Sequence, residues 1–365
     1  MGAPAYQYAA IFKAQKVHVL SSNYTLYGDM SQRVMQVLSQ FSPDMEEYSI
    51  DEAFLKISTS ASLETLAKEM KKTVLKWTGI PVSIGVGSTK TLAKVANDIA
   101  KKGSGIFVFC DEEQTDRALE NLDVEEIWGI GRRLSEALKK DRIENAKAFR
   151  DAPDDWIKKR FSVTLLRTAY ELRGISCLEW NELPMPRKSI TCSRSFGCKI
   201  TQLEEIEQAL ASYTATAAEK LREEELLPSF ITVFLTTSPF GENAYSNSFT
   251  LSLNEPTVYT PSLTLAAKEA LRQIFRSGYA YKKVGIIMGG FFPKDNYQPD
   301  LFSSNEKQKA RHRRAMETID SINQKFGDSA VLFAAEGLRK PWKMQRGNVS
   351  PRYTTSWDEL LNIKI

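Results

Sequence analysis

A chain of 365 residues with 42% hydrophobic residues is long enough for roughly two to four domains and has ordinary core material. A formal net charge of +4 does not mark the whole chain as a polyanion binder, so that case rests on local clusters. Four cysteines (Cys110, Cys177, Cys192, Cys198) without CxxC spacing and two histidines (His18, His312) argue against a zinc site and for a reduced, cytoplasmic protein. No apolar run approaches the roughly 20 residues of a membrane span, and no secretory signal layout opens the chain.

The pattern predicts a short helix over residues 6–16 and a strand over 17–20. Ser21-Ser22-Asn23 then caps a helix over 24–40, with Leu26, Met30, Val34, Val37 and Leu38 at helical spacing. Tyr24, Tyr27 and Arg33 on that helix suit phosphate contact or plain packing. Residues 45–57 read as strand, carboxylate pair, strand, around Tyr48-Ser49-Ile50-Asp51-Glu52-Ala53-Phe54-Leu55. Neighbours on a strand point to opposite faces, so Asp51 and Glu52 reach one cation only at a strand end or tight hairpin. Mg²⁺ takes a few carboxylates plus phosphate oxygens; the plainer alternative is a solvated turn.

A helix over 63–78 ends at Gly79, and Pro81 to Gly87 forms a strand rich in small residues. Residues 88–102 form a helix on which Lys90, Lys94 and Lys101 fall within about 40° of one another. Leu92, Val95, Ala96 and Ile99 take the opposite face. The lysine stripe beside a carboxylate strand suits a polyphosphate; otherwise it is a solvated face. It is not a P-loop, because Thr89 rather than Gly precedes Lys90. After a strand at 106–109, Trp128-Gly129-Ile130-Gly131-Arg132-Arg133 has the layout of a helix-hairpin-helix. There the glycines allow a tight turn, and the next helix offers its N–H groups to a DNA phosphate.

Leu183 to Lys188 is a linker. Beyond it, strands at 189–195, 230–237, 246–253 and 283–288 alternate with helices at 203–225 and 263–276. That is the β-α-β-β-α-β order of a split, ferredoxin-like fold. Arg187, Lys188, Arg194, Lys199, Lys282 and Lys283 lie near strand ends. In the polar stretch that follows, Gln298 to Phe302 carries the apolar pair Leu301-Phe302, a peptide suited to a hydrophobic groove or to its own domain. From Gly337 to Arg352 there are five basic residues and no acidic one, interleaved with Trp342.

These pieces, in this order, resemble a Y-family (translesion) DNA polymerase. The carrying residues are Ser21-Ser22-Asn23-Tyr24, Tyr27-Gly28-Asp29-Met30-Ser31 and Ser49-Ile50-Asp51-Glu52-Ala53-Phe54. Lys90-Thr91-Leu92-Ala93-Lys94 and Trp128 to Arg133 follow, then Cys192-Ser193-Arg194-Ser195-Phe196-Gly197 and Ser350-Pro351-Arg352-Tyr353-Thr354-Thr355. The resemblance implies an α+β multidomain fold. Its parts are a fingers remnant (1–16), a partial palm sheet with helices (17–107) and a helix-hairpin-helix thumb (108–180). A little finger (187–293) and a polar tail (294–365) complete it.

The resemblance also implies error-prone, SOS-linked dNTP addition by two-metal Mg²⁺ chemistry, with Asp51 and Glu52 as metal-binding catalytic carboxylates. Lys101 then meets the triphosphate, with Lys90 and Lys94 beside it. Gly129, Ile130, Gly131, Arg132, Arg133 and Arg194 hold primer–template DNA. Gln298, Leu301 and Phe302 bind the beta sliding clamp, and the resemblance implies a UmuD-type dimer and a RecA-type filament as partners. Family members open with a palm strand carrying another metal-binding aspartate. Here Met1-Gly2-Ala3-Pro4 aligns with the late fingers, so that segment is expected to be missing, and neither Asp29 nor Asp44 replaces its ligand. The alternative function is a catalytically dead remnant that binds DNA and the clamp.

Overall fold

The computed structural model describes residues 3–180, 187–240, 243–293, 306–327, 330–344 and 347–361. The chain parts into two units, Met1–Met185 with Asn348–Ile365, and Pro186–Gly347. The boundary falls in the predicted linker.

In the first unit a 3-10 turn, Ala5–Tyr8, leads into α1 (Ala9–Ala14). Residues 17–20 do not form the expected strand. Val17, Val19 and Leu20 are exposed, and β structure needs a ladder partner that the described residues do not supply there. Asn23 caps α2 (Tyr24–Leu38), its Oδ1 accepting from Leu26 N–H at 3.3 Å.

β1 (Met45–Ser49) and β2 (Glu52–Leu55) form an antiparallel hairpin. α3 (Leu63–Thr78) follows and ends at Gly79, whose φ of +73° suits a residue without Cβ. Val34 and Val37 of α2 pack with Val74 of α3. β3 (Ile84–Val86) and β4 (Ile106–Val108) pair in parallel across α4 (Lys90–Lys102). The expected palm sheet is thus, among the described residues, two separate two-stranded pieces.

α4 lies directly on β3. A Cβ at Gly85 would stand 2.0 Å from the Asn97 backbone nitrogen, and one at Gly87 would stand 2.7 Å from that of Ala93. The helix buries Leu92, Val95 and Ala96, the face its periodicity predicts. Leu92 and Val95 join the core of α5 (Glu112–Glu120), α6 (Arg132–Lys140), α7 (Ala146–Arg150), α8 (Asp154–Arg160) and α9 (Val163–Leu172). Leu119, Leu138, Phe149 and Ile157 are fully buried there.

The second unit comprises β5 (Ser189–Ile200), α10 (Leu203–Glu223), β6 (Leu226–Leu227), β7 (Phe230–Thr237), β8 (Ser246–Ser252), α11 (Thr260–Ile274), β9 (Tyr281–Gly289), β10 (Phe292–Pro293) and α12 (Glu306–Phe326). Its main sheet runs β5-β9-β7-β8, every pair antiparallel. Alternation decides the faces: Ile231, Val233 and Leu235 turn inward under α10 and α11, while Thr232, Phe234 and Thr236 face the other way.

α12 is tied to this unit by Arg222, whose Nε and Nη2 donate to the two carboxylate oxygens of Asp320, and by His312 stacked on Tyr259 with ring centroids 3.8 Å apart. Trp342 is buried against Tyr213. The tail then returns to the first unit, where Ser21 N–H donates to the Asn348 carbonyl at 2.8 Å and Asn23 Nδ2 donates to that of Ser350 at 2.9 Å. The peptide Gln298, Leu301 and Phe302 lies outside the described residues.

Candidate active site

The β1–β2 register pairs Glu46 with Phe54 and, past an irregularity at Tyr48, Ser49 with Glu52. Ile50 and Asp51 make the tip. Ser49 Oγ donates to Asp51 Oδ1 at 2.7 Å and holds that carboxylate outward in solvent. Asp51 makes no ion pair among the described residues. Glu52, on the side of Glu46 and Phe54, meets α4: Lys94 Nζ lies 2.5 Å from Glu52 Oε1, and Lys90 Nζ lies 2.7 Å from Glu46 Oε2. The hairpin therefore does what adjacent carboxylates require, sending one to the tip and the other to a cation.

Of the three lysines placed on one stripe, two are engaged inside the unit. Lys90 also donates to the Glu179 carbonyl at 2.8 Å and sits 5.0 Å from the Trp180 ring centroid. Lys94 lies 5.5 Å from the Tyr48 ring and 5.8 Å from that of Trp128. Lys101 is different: its side chain is 54% exposed and its contact with Asp98 is long, 3.8 Å.

Three supporting roles were not read from sequence. Trp128 Nε1 donates to the Tyr48 hydroxyl at 3.2 Å, and its ring packs on Tyr48 and Phe54, which ties the glycine hairpin to the carboxylate hairpin. Glu46 anchors Lys90. Glu171 on α9 is fully buried; one oxygen accepts from Thr91 N–H at 3.1 Å, the other from Cys177 N–H at 2.6 Å. A carboxylate at the first turn of α4 suits the helix dipole and fixes the end that carries Lys90 and Lys94. The alternation of Glu46 with Tyr48 was a usable signal for Glu46. Nothing local marks Glu171.

At the predicted helix-hairpin-helix, Gly129 has φ +94°, a turn only glycine makes without strain, and Ile130 is buried. Gly131 is the N-cap of α6 and supplies no side-chain cap, so the first-turn N–H groups are open to a phosphate. Arg132 pairs with Glu136 on its own helix at 2.9 Å, and Arg133 is exposed. Behind the turn Lys139 donates to Asp123, which holds that carboxyl below its ordinary range.

In the second unit the open sheet face carries Ser and Thr hydroxyls, Lys283 and the rings of Phe230 and Phe234. Ser195, Lys283, Thr236 and Ser246 share one row, and Ser193, Gly285, Phe234 and Ser248 the next. Gly285 leaves room for the Phe234 ring, whose centroid lies 5.5 Å from Lys283 Nζ. Arg194 is in register with Val284 and so lies on the α10 side of the sheet, not on this face.

The described donor set suits one Mg²⁺, which takes one or two carboxylates and leaves the rest to water and phosphate oxygens. Among the described residues no group of three or more His, Cys, Asp or Glu gathers to hold a metal ion. Nor is any of their helices long and apolar enough to cross a membrane.

Residues 1–98 match the impB/mucB/samB family and residues 187–301 its C-terminal domain; residues 313–363 match a domain of unknown function (DUF4113). Protein UmuC of Salmonella typhimurium is 40% identical over 100% of this chain and 88% of its own length. Protein MucB of Escherichia coli is 34% identical over 98% of this chain and 86% of its own. DNA polymerase IV of Moorella thermoacetica is 28% identical over 84% and 76%. A solved Y-family DNA polymerase chimera of Dbh and Dpo4 superposes with a TM-score of 0.58 at 21% identity, over 74% of this chain and 77% of that one, a likeness of fold. The chain belongs to the Y-family of DNA polymerases, in the impB/mucB/samB branch that includes UmuC.

Proposed function

We propose that this chain carries out template-directed translesion DNA synthesis, in which a primer 3′-hydroxyl loses its proton and attacks the α-phosphate of a dNTP, breaking the α–β phosphoanhydride bond and releasing pyrophosphate. The observation that carries the reading is the Asp51–Glu52 tip, which offers two hard carboxylates on a hairpin fixed against α4. A bound Mg²⁺ supplies charge neutralisation at the phosphates, in a two-metal scheme if a second joins it. Asp51 and Glu52 hold the metal. Lys101, exposed and weakly paired, meets triphosphate oxygens. Lys90 and Glu46 hold the hairpin at a set distance from α4.

The open N-terminus of α6, with Arg132 and Arg133, grips one backbone phosphate of the primer–template. The open sheet face of the second unit accepts another stretch, and Arg194 adds long-range attraction from the far side of its sheet. Gln298, Leu301 and Phe302 dock on the beta sliding clamp. A UmuD-type dimer and a RecA-type filament are partners in a cytoplasmic SOS response that leaves mutations. Leu301→Ala with Phe302→Ala is expected to abolish clamp pull-down at unchanged DNA affinity; undiminished pull-down refutes the clamp peptide.

One observation favours a second reading, a catalytically dead remnant that binds DNA: no group of three His, Cys, Asp or Glu gathers among the described residues, and Glu52 is already paired with Lys94. Single-dNTP incorporation on a labelled primer–template separates the readings. The polymerase incorporates only with Mg²⁺, and Asp51→Ala lowers the rate by about a hundredfold or more while DNA affinity and its fall with salt are unchanged. Binding without incorporation in the unaltered chain leaves the remnant.

A further inference from the structure

Lys94 holds a carboxylate that the proposed function needs for metal. Its Nζ lies 2.5 Å from Glu52 Oε1, and its side chain is only 18% exposed. The ammonium also has a second seat, because the Tyr48 and Trp128 ring faces lie 5.5 and 5.8 Å away. A lysine between a carboxylate and aromatic faces keeps a favourable place when the carboxylate is taken from it. Its neighbour Lys90 also lies near rings, 5.6 Å from Phe54 and 5.0 Å from Trp180, but its carboxylate, Glu46, is not assigned to metal and the Glu179 carbonyl holds it as well.

The backbone beneath Lys94 is fixed. Gly85 and Gly87 let α4 lie on β3 with no room to slide, and Glu171 clamps its first turn. Any movement of the ammonium therefore belongs to the flexible stem of the side chain.

We propose that Lys94 is a positioning residue that stands in for the divalent cation. In the metal-free protein its ammonium occupies Glu52 and keeps that carboxylate charge-compensated. When metal binds, the ammonium gives up Glu52 and turns to Tyr48 and Trp128. This inference rests on the assignment of Asp51 and Glu52 as metal ligands.

The test is amine acetylation of the full chain, read lysine by lysine by mass spectrometry, with and without Mg²⁺. Binding of Mn²⁺ is followed by electron paramagnetic resonance under matched conditions. Lys94 labels slowly without metal and several-fold faster at saturating Mg²⁺, while Lys90 labels alike in both. Glu52→Gln frees Lys94 without metal, and Asp51→Ala removes the Mg²⁺ response. Lys94→Met raises Mn²⁺ affinity about tenfold, because a unit charge at contact distance no longer competes. Lys102→Met, on the same helix and 71% exposed, changes it less than about twofold. If Mn²⁺ binds and Lys94 labelling does not change, the stand-in role is overturned while the ligand assignment survives. If no Mn²⁺ binds, both fall.

Discussion

Gly85 decides how near α4 comes to β3, and with it where Lys90 and Lys94 stand. A methyl group there meets helix backbone, which has no rotamer with which to retreat. Gly85→Ala is expected to cost about 1–3 kcal/mol, the range for overpacking, with a lower urea midpoint as the readout and incorporation falling alongside. An unchanged midpoint would mean that α4 is free to shift outward. The small-residue character of Pro81 to Gly87 was legible in sequence as a strand. That two of its glycines are required by a helix crossing was not, since the helix contributes mostly backbone at the contact. Glu171 was illegible for a different reason: its partner Thr91 lies 80 positions away, and a buried glutamate in a helix pattern looks like a solvated one.

At the scale of elements, periodicity predicted α2, α3, α4, α10 and α11 closely, because each buries one stripe and leaves the other wet. The lysine stripe shows the limit of that reasoning. Lys90, Lys94 and Lys101 share a face by angle, yet the hairpin β1–β2 covers the first two and leaves the third open. The 17–20 segment failed as a strand because strand formation depends on a partner, which a local pattern does not reveal.

α2 carries a second dependence of this kind. Asn23 is 3% exposed and works at both ends of its amide: Oδ1 caps the helix, and Nδ2 donates to the carbonyls of Ser350 and Pro351. Asn23→Ala removes the cap and the tail's anchor at once. The expected loss is about 1–2 kcal/mol, with faster proteolytic cleavage within 348–361. Cleavage at the original rate would show that Ser21, at the Asn348 carbonyl, and Asp29, hydrogen-bonded to Thr354, hold the tail without Asn23.

For the whole molecule, the boundary between the two units was legible in the Pro-containing stretch Leu183 to Lys188. The return of the tail to the first unit was not, because its described anchors are mostly backbone groups met by Asn23 and Ser21, with Asp29 meeting the Thr354 side chain. The second-unit sheet was readable from alternation, but alternation does not fix strand order or the face on which a given arginine falls. Arg194, in step with the buried positions of β5, shows this. The domain of unknown function over 313–363 spans both units: α12 and Trp342 belong to the second, residues from Asn348 onward to the first.

The central claim is that Asp51 and Glu52 hold the metal for nucleotide addition, and primer extension tests it most directly. A labelled primer is extended opposite an undamaged and an abasic template with Mg²⁺, by the unaltered chain and by Asp51→Ala. The account predicts extension on both templates that needs Mg²⁺ and disappears with Asp51→Ala at intact DNA binding. Extension that persists without the Asp51 carboxylate would contradict it.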